Sequence, residues 1–191
     1  MIQVLGFGSL IWDLDDLAPK VRGPWRLGEG PVMPLEFSYV SAKRLGALAL
    51  VIDHAHGAPC PTAAIPSTRA RLADAANDLA ARERCSLRDI GWADRDGWKA
   101  RDAGLGAAVR DWVRAEGAQG AVWTDGLPNF AALTGLEWRV EAGRGYLATL
   151  EGRARDEAET YIREAPPQTL TPLRRSIQAE GWPVPAQASP R

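Results

Sequence analysis

Two spacings of apolar residues run along the chain, and each predicts its own kind of element. Short dense runs predict strands. Ile2-Gln3-Val4-Leu5 is the first, and it leads straight into Gly6-Phe7-Gly8-Ser9-Leu10. Leu35–Ser41 and Leu45–Asp53 follow, with Val51 and Ile52 supplying the β-branched side chains that suit a pleated surface. Ala63-Ala64-Ile65 is closed by Pro66, and Ala121-Val122-Trp123-Thr124 precedes the turn signal Asp125-Gly126.

Helical spacing appears between and after these runs. Leu72, Ala76 and Leu79 recur at helical intervals, with Ser67 or Thr68 expected to cap the segment. Leu105, Ala108, Val109, Trp112 and Val113 share one face of a second helix, which Gly117 is placed to close. A third runs from about Arg155 through Ala158, Tyr161, Ile162 and Ala165 until Pro166-Pro167 ends it. Thr171-Pro172 reads as a cap with proline at the first helical position, opening a short helix through Ile177. Early strands followed by helices predict an α+β fold with a mixed sheet or small barrel. No linker or repeat divides the chain, so residues 1–182 are expected to form one domain and 183–191, with Pro183, Pro185 and Pro190, a loose tail.

Composition narrows the class. A chain of 191 residues, 46% hydrophobic and 25% charged, is an ordinary globular one rather than a disordered or collagen-like one. Its 23 basic and 24 acidic residues leave a net charge of −1, which argues against a protein that coats nucleic acid. No apolar run approaches the roughly 18–20 residues that span a bilayer, so no membrane partner is expected. The start, Met1-Ile2-Gln3-Val4-Leu5, lacks a basic segment and cleavage site of the secretory kind. Cys60 and Cys85 are too few for a disulfide framework or a zinc site, and reduced thiols in a cytoplasmic protein are the expectation. The eight tryptophans, from Trp12 to Trp182, form no single motif and read as packing residues.

The candidate chemistry lies in two places. A strand entering Gly6-Phe7-Gly8-Ser9-Leu10 can expose successive backbone N–H groups to an anion or a polarised carbonyl. Ile11 stands where a dinucleotide fingerprint needs its third glycine, and Leu10-Ile11 after Ser9 excludes a nucleophile elbow. A small-ligand loop and a tight turn with glycines for steric reasons both remain. The second place is Glu83. At about 100° per residue it lies about 20° from Leu72, on the apolar stripe of its helix. A carboxylate aimed at a core needs a partner or a cavity, and partial desolvation would make it a better proton acceptor near neutrality. Alternatively, the helix frays before Glu83 and the side chain pairs with Arg82, Arg84 or Arg88 at the surface.

Taken together, Phe7-Gly8-Ser9-Leu10 after an N-terminal strand and Leu79-Ala80-Ala81-Arg82-Glu83 resemble the glycine loop and catalytic-glutamate segment of γ-glutamylcyclotransferase-like proteins, particularly their ChaC-like branch. Phe37-Ser38-Tyr39-Val40-Ser41-Ala42-Lys43-Arg44 resembles the strand that lines the pocket. By motif the resemblance covers roughly the first half of the chain. It implies a small mixed β-barrel flanked by helices, with loop and glutamate facing one cavity. It also implies release of 5-oxoproline from a small γ-glutamyl substrate, without a metal or nucleotide cofactor. Glu83 would be the acid/base, and Phe7, Gly8, Ser9 and Leu10 the binding loop. Phe7 stands where the family has tyrosine, and Arg84-Cys85 where related sequences often have a glycine. Ser41 and Arg44 read either as groups for a substrate carboxylate or as an ordinary exposed strand end.

Three other features are set aside. Asp53-His54-Ala55-His56 could offer metal ligands, but it holds the only two histidines and precedes Gly57-Ala58-Pro59, so a solvated loop is expected. Cys85 has arginines nearby that could lower a thiol pKa but no local histidine base, and it reads as structural. Arg69, Arg71, Arg82 and Arg84 with Asp74 and Asp78 read as salt-bridge partners on helical faces. Two other functions compete: a non-catalytic module that binds a small carboxylated metabolite, and acyl transfer through Ser9, for which no base is visible.

Overall fold

The structure, a computed structural model, describes residues 1–183, so the expected tail lies outside the described residues from 184 onward. The elements in chain order are β1 (Ile2–Gly6), β2 (Val32–Ser41), β3 (Ala47–Ile52), β4 (Ala58–Pro61), β5 (Ala63–Pro66), α1 (Leu72–Glu83), β6 (Ile90–Asp94), β7 (Trp98–Lys99), α2 (Ala103–Ala115), β8 (Gly120–Thr124), α3 (Phe130–Thr134), α4 (Val140–Ala148), α5 (Gly152–Glu164) and α6 (Pro172–Glu180). The fold is α+β. One sheet has the order β5-β1-β8-β6-β7 and the other β3-β2-β4, and neither closes into a barrel among the described residues.

The chain forms two compact units. The first comprises Met1–Met33, Cys60–Leu127 and Pro166–Thr169. Here β1 runs antiparallel to β5, with Val4 opposite Ile65, and parallel to β8, with Val4 opposite Val122. The apolar stripe of α1 lies on this sheet: Ala75, Ala76, Leu79 and Ala80 pack with Ile2, Val4, Ile65, Ile90 and Val122. Leu10, from the segment after β1, joins the same cluster. Burying such side chains contributes roughly 25 cal/mol per Å² of apolar surface, which fixes α1 against β1 and β8.

The expected cap of α1 is corrected. Its N-cap is Arg71, in extended conformation and without a side-chain bond. Ser67 is instead tied to the sheet, its N–H donating to the Ile2 carbonyl and its hydroxyl accepting from Arg69 N. Two other helix signals hold. Gly117 takes φ 64 directly after α2, and the Thr171 hydroxyl accepts from Arg174 N at the start of α6.

The second unit comprises Pro34–Pro59, Pro128–Ala165 and the chain from Leu170 on. Every residue of β3 is buried, as are Leu35, Glu36, Phe37 and Ser38 of β2. The register passes from Glu36↔Val51 to Tyr39↔Ala49, three steps on β2 against two on β3, so a bulge sits at Phe37-Ser38. Phe37 meets Tyr161 of α5 edge-to-face at 6.1 Å.

Candidate functional site

Within the first unit the glycine segment and Glu83 are brought together. Leaving β1, the chain passes beneath Trp25, where a Cβ on Gly6 would come within 2.5 Å of the indole ring. Gly8 then adopts φ 62, a left-handed conformation that costs other residues about 1–2 kcal/mol. A 3-10 turn over Gly8–Ile11 follows, with Leu10 buried and Phe7 and Ser9 partly buried. Both glycines therefore have a steric reason. A helical turn of this kind gives its first N–H groups no carbonyl partner within the turn itself.

The helix does not fray before Glu83. It closes beyond it in a Schellman arrangement, with Cys85 N donating to the Ala80 carbonyl at 3.0 Å and Arg84 N to the Ala81 carbonyl at 3.2 Å. Arg84 takes the left-handed position at φ 54. Glu83 continues the direction of the buried stripe, but on the last turn that stripe runs out, and its side chain is 24% exposed.

The residue buried at this end is Arg82, whose side chain is 2% exposed. Its Nη1 donates to Glu83 Oε1 at 2.6 Å, its Nη2 donates to the Asp13 carbonyl, and the Asp13 carboxylate lies 4.0 Å away. Asp13 N in turn donates to the Ser9 carbonyl at 2.9 Å. A continuous path of hydrogen bonds thus runs from the acid through Arg82 and Asp13 to the glycine turn. Glu83 Oε2 accepts no hydrogen bond among the described residues. One oxygen is tethered and the other is open to a proton.

Ser41 and Arg44 belong to the second unit. Ser41 ends β2, and its carbonyl accepts from Gly46 N at 2.9 Å. Arg44, in the β2–β3 connection, is held by α5: Nη1 lies 3.2 Å from Glu157 Oε2, and the guanidinium sits 5.2 Å from the Tyr161 ring centroid. That is neither an exposed strand end nor an unengaged cation.

Glu36, which sequence reasoning passed over, is the carboxyl pushed up furthest among the described residues. It is fully buried and accepts from Phe37 N at 2.7 Å and Leu173 N at 3.3 Å. Burial pushes its pKa up to about 7, against the opposing pull of the Phe37, Thr171 and Leu173 hydrogen bonds and with a further push from Asp53. Asp53 is itself engaged, accepting from Ser38 Oγ at 2.7 Å and from Ala55 and His56 N, both at 3.0 Å. In sequence Glu36 looks like the outward residue of an alternating strand. In the fold the first turn of α6 meets it, through Leu173 N.

The remaining candidates have structural explanations. His54 and His56 are exposed. No group of three or more His, Cys, Asp or Glu side chains among the described residues could hold a metal ion. No helix among them is long and apolar enough to cross a membrane. Cys85 is pushed up to about 11, by burial first and then by the charges of Glu83 and Asp89, so the neighbouring arginines do not activate it. Arg69 and Lys20 both pair with Asp78, at 2.5 and 3.1 Å. No protein-family model, curated protein or solved structure matches this chain.

Proposed function

We propose that the chain is a γ-glutamylcyclotransferase-like enzyme that releases 5-oxoproline from a small γ-glutamyl amine, amino acid or peptide. The supporting observation is the placement of Glu83: a partly exposed carboxylate, tethered through one oxygen and joined by hydrogen bonds to the turn after β1. The reading rests on that turn and that acid, and the barrel implied by the resemblance lends it no support.

In this reaction the substrate's α-ammonium gives a proton to the open oxygen of Glu83. The freed amine attacks the γ-carbonyl carbon of the same molecule, forming the ring C–N bond and placing negative charge on the carbonyl oxygen. Backbone N–H groups of the Gly8–Ile11 turn supply donors for that charge. Collapse of the tetrahedral centre breaks the bond to the leaving nitrogen, which receives the proton back from Glu83. The ring nitrogen gives up its second proton through the same carboxylate to the departing amine, which leaves as an ammonium. Holding amine and carbonyl together is the turn's second task, since well-oriented intramolecular attack removes much of the barrier. Ser41 and Arg44 are assigned no part in this step; the Arg44 guanidinium is engaged by Glu157 and Tyr161.

The test is a panel of γ-glutamyl amines, amino acids and dipeptides, with 5-oxoproline detected by mass spectrometry. Turnover of at least one member is expected, with Glu83→Gln inactive and melting as the parent does. An inactive parent across the panel, or an active and folded Glu83→Gln, overturns the assignment.

A further inference from the structure

We propose that Arg82 is the positioning residue of this site, a guanidinium whose two arms lock the Glu83 carboxylate to the segment following the glycine turn. The inference rests on the functional reading above and adds a part to it. Neighbours in a helix point about 100° apart and do not ordinarily touch. Here the Arg82 side chain folds back so that Nη1 meets Glu83 Oε1 at 2.6 Å while Nη2 reaches the Asp13 carbonyl.

The setting makes a passive role uneconomical. Arg82 is buried where α1 meets an apolar cluster, and its Nε, also buried, has no acceptor among the described residues. A buried charge with an unmet donor costs free energy that an apolar side chain of similar volume would not. What the arginine supplies, and an apolar residue cannot, is a rigid fork spanning two acceptors on different segments. One is the acid. The other belongs to Asp13, whose N–H is bonded to the Ser9 carbonyl. The tether removes rotamer freedom from Glu83 without covering Oε2. A lysine would keep the charge but could not hold both acceptors in one plane.

The experiment compares the full chain with Arg82→Lys and Arg82→Gln, each with and without Glu83→Gln. Steady-state release of 5-oxoproline gives kcat and KM, and amide NMR follows Ser9 and Asp13. Loss of the fork is expected to lower kcat about 10- to 100-fold while KM stays within about threefold, the pattern of a misplaced group rather than lost binding. Glu83→Gln is expected to shift the Asp13 and Ser9 amides when Arg82 is present and not in Arg82→Lys. A wild-type kcat in folded Arg82→Lys, or amides indifferent to Glu83→Gln in the parent, overturns the proposal. If the parent turns over no γ-glutamyl compound, the functional reading fails, and the NMR comparison still decides whether Arg82 couples acid to turn. If Arg82→Lys does not fold, the amide response to Glu83→Gln in the parent decides alone.

Discussion

Glu36 and Leu173 lie 137 positions apart in sequence, yet a carboxylate oxygen of the first accepts the backbone N–H of the second at 3.3 Å. The bond ties β2 to the first turn of α6, where the Thr171 hydroxyl also holds the same carboxyl. The start of a helix has N–H groups without intrahelical partners, so a buried acid is a favourable neighbour there. Burial opposes the charge that makes it so.

That opposition gives a pH dependence of definite sign. The folded pKa of Glu36 is raised from 4.5 to about 7, so the native state holds this proton over a range in which the unfolded chain has released it. The contribution to stability is therefore fully present below about pH 4.5 and is lost as pH rises through about 7. At about 1.4 kcal/mol per pH unit the loss is on the order of 3 kcal/mol. Chemical denaturation from pH 4.5 to 8 should show it, and Glu36→Gln should flatten that stretch. Parallel profiles for the two proteins would mean that Glu36 ionises as freely in the fold as outside it.

Cys85 provides a probe of the acid beside it. With its pKa near 11, raised by burial and by the charges of Glu83 and Asp89, little thiolate exists at pH 8. Alkylation by iodoacetamide in the native protein should run on the order of 100-fold slower than at an unperturbed thiol. Glu83→Gln removes one of the two charges and should speed labelling of Cys85, read by peptide mass spectrometry. Unchanged labelling would place the Glu83 carboxylate farther from the thiol than the structure has it.

Arg84 pays a conformational cost at φ 54 that glycine would avoid. Its ion pair with Asp15, 3.9 Å long on a side chain 70% exposed, returns little. Arg84→Gly should stabilise the protein by about 0.5–1 kcal/mol, raising Tm by about 1–4 °C in calorimetry. A lower Tm would show that the arginine contributes more at the helix end than the left-handed backbone costs.

The strands and helices that pack on one another were largely legible in the sequence because their signals are local. Ile2–Leu5 and Ala121–Thr124 are dense apolar runs, and Thr171-Pro172 carries both a capping hydroxyl and a proline at the first helical position. Ile90–Asp94 gives no such signal, since a five-residue strand containing Gly91 and ending in Asp94 has no apolar run. Ser67 misled because its hydroxyl suits a cap, but its backbone belongs to the sheet through Ile2. At the site, helical phase aligns Glu83 with Leu72 and Leu79, and its side chain is 24% exposed. In sequence Arg82 reads as a solvated partner, because whether an arginine is buried depends on Asp13, far away in sequence and close in space. Glu36 was hidden for the same reason. Its neighbours Leu35 and Phe37 announce a strand, while the cover on its own side arrives from α6.

Because Glu83 is the twelfth residue of α1 and the helix is pinned to its sheet by Ala75, Ala76 and Leu79, the interval between Leu72 and Glu83 acts as a fixed gauge. Inserting one residue downstream of Leu79 would advance the acid by about 1.5 Å and swing it by about 100°, out of step with the stripe that pins the helix. Sequences descended from the same ancestor should vary freely in side chains along the outer surface of α1 while keeping its length, and their gaps should collect before Leu72 or after Cys85.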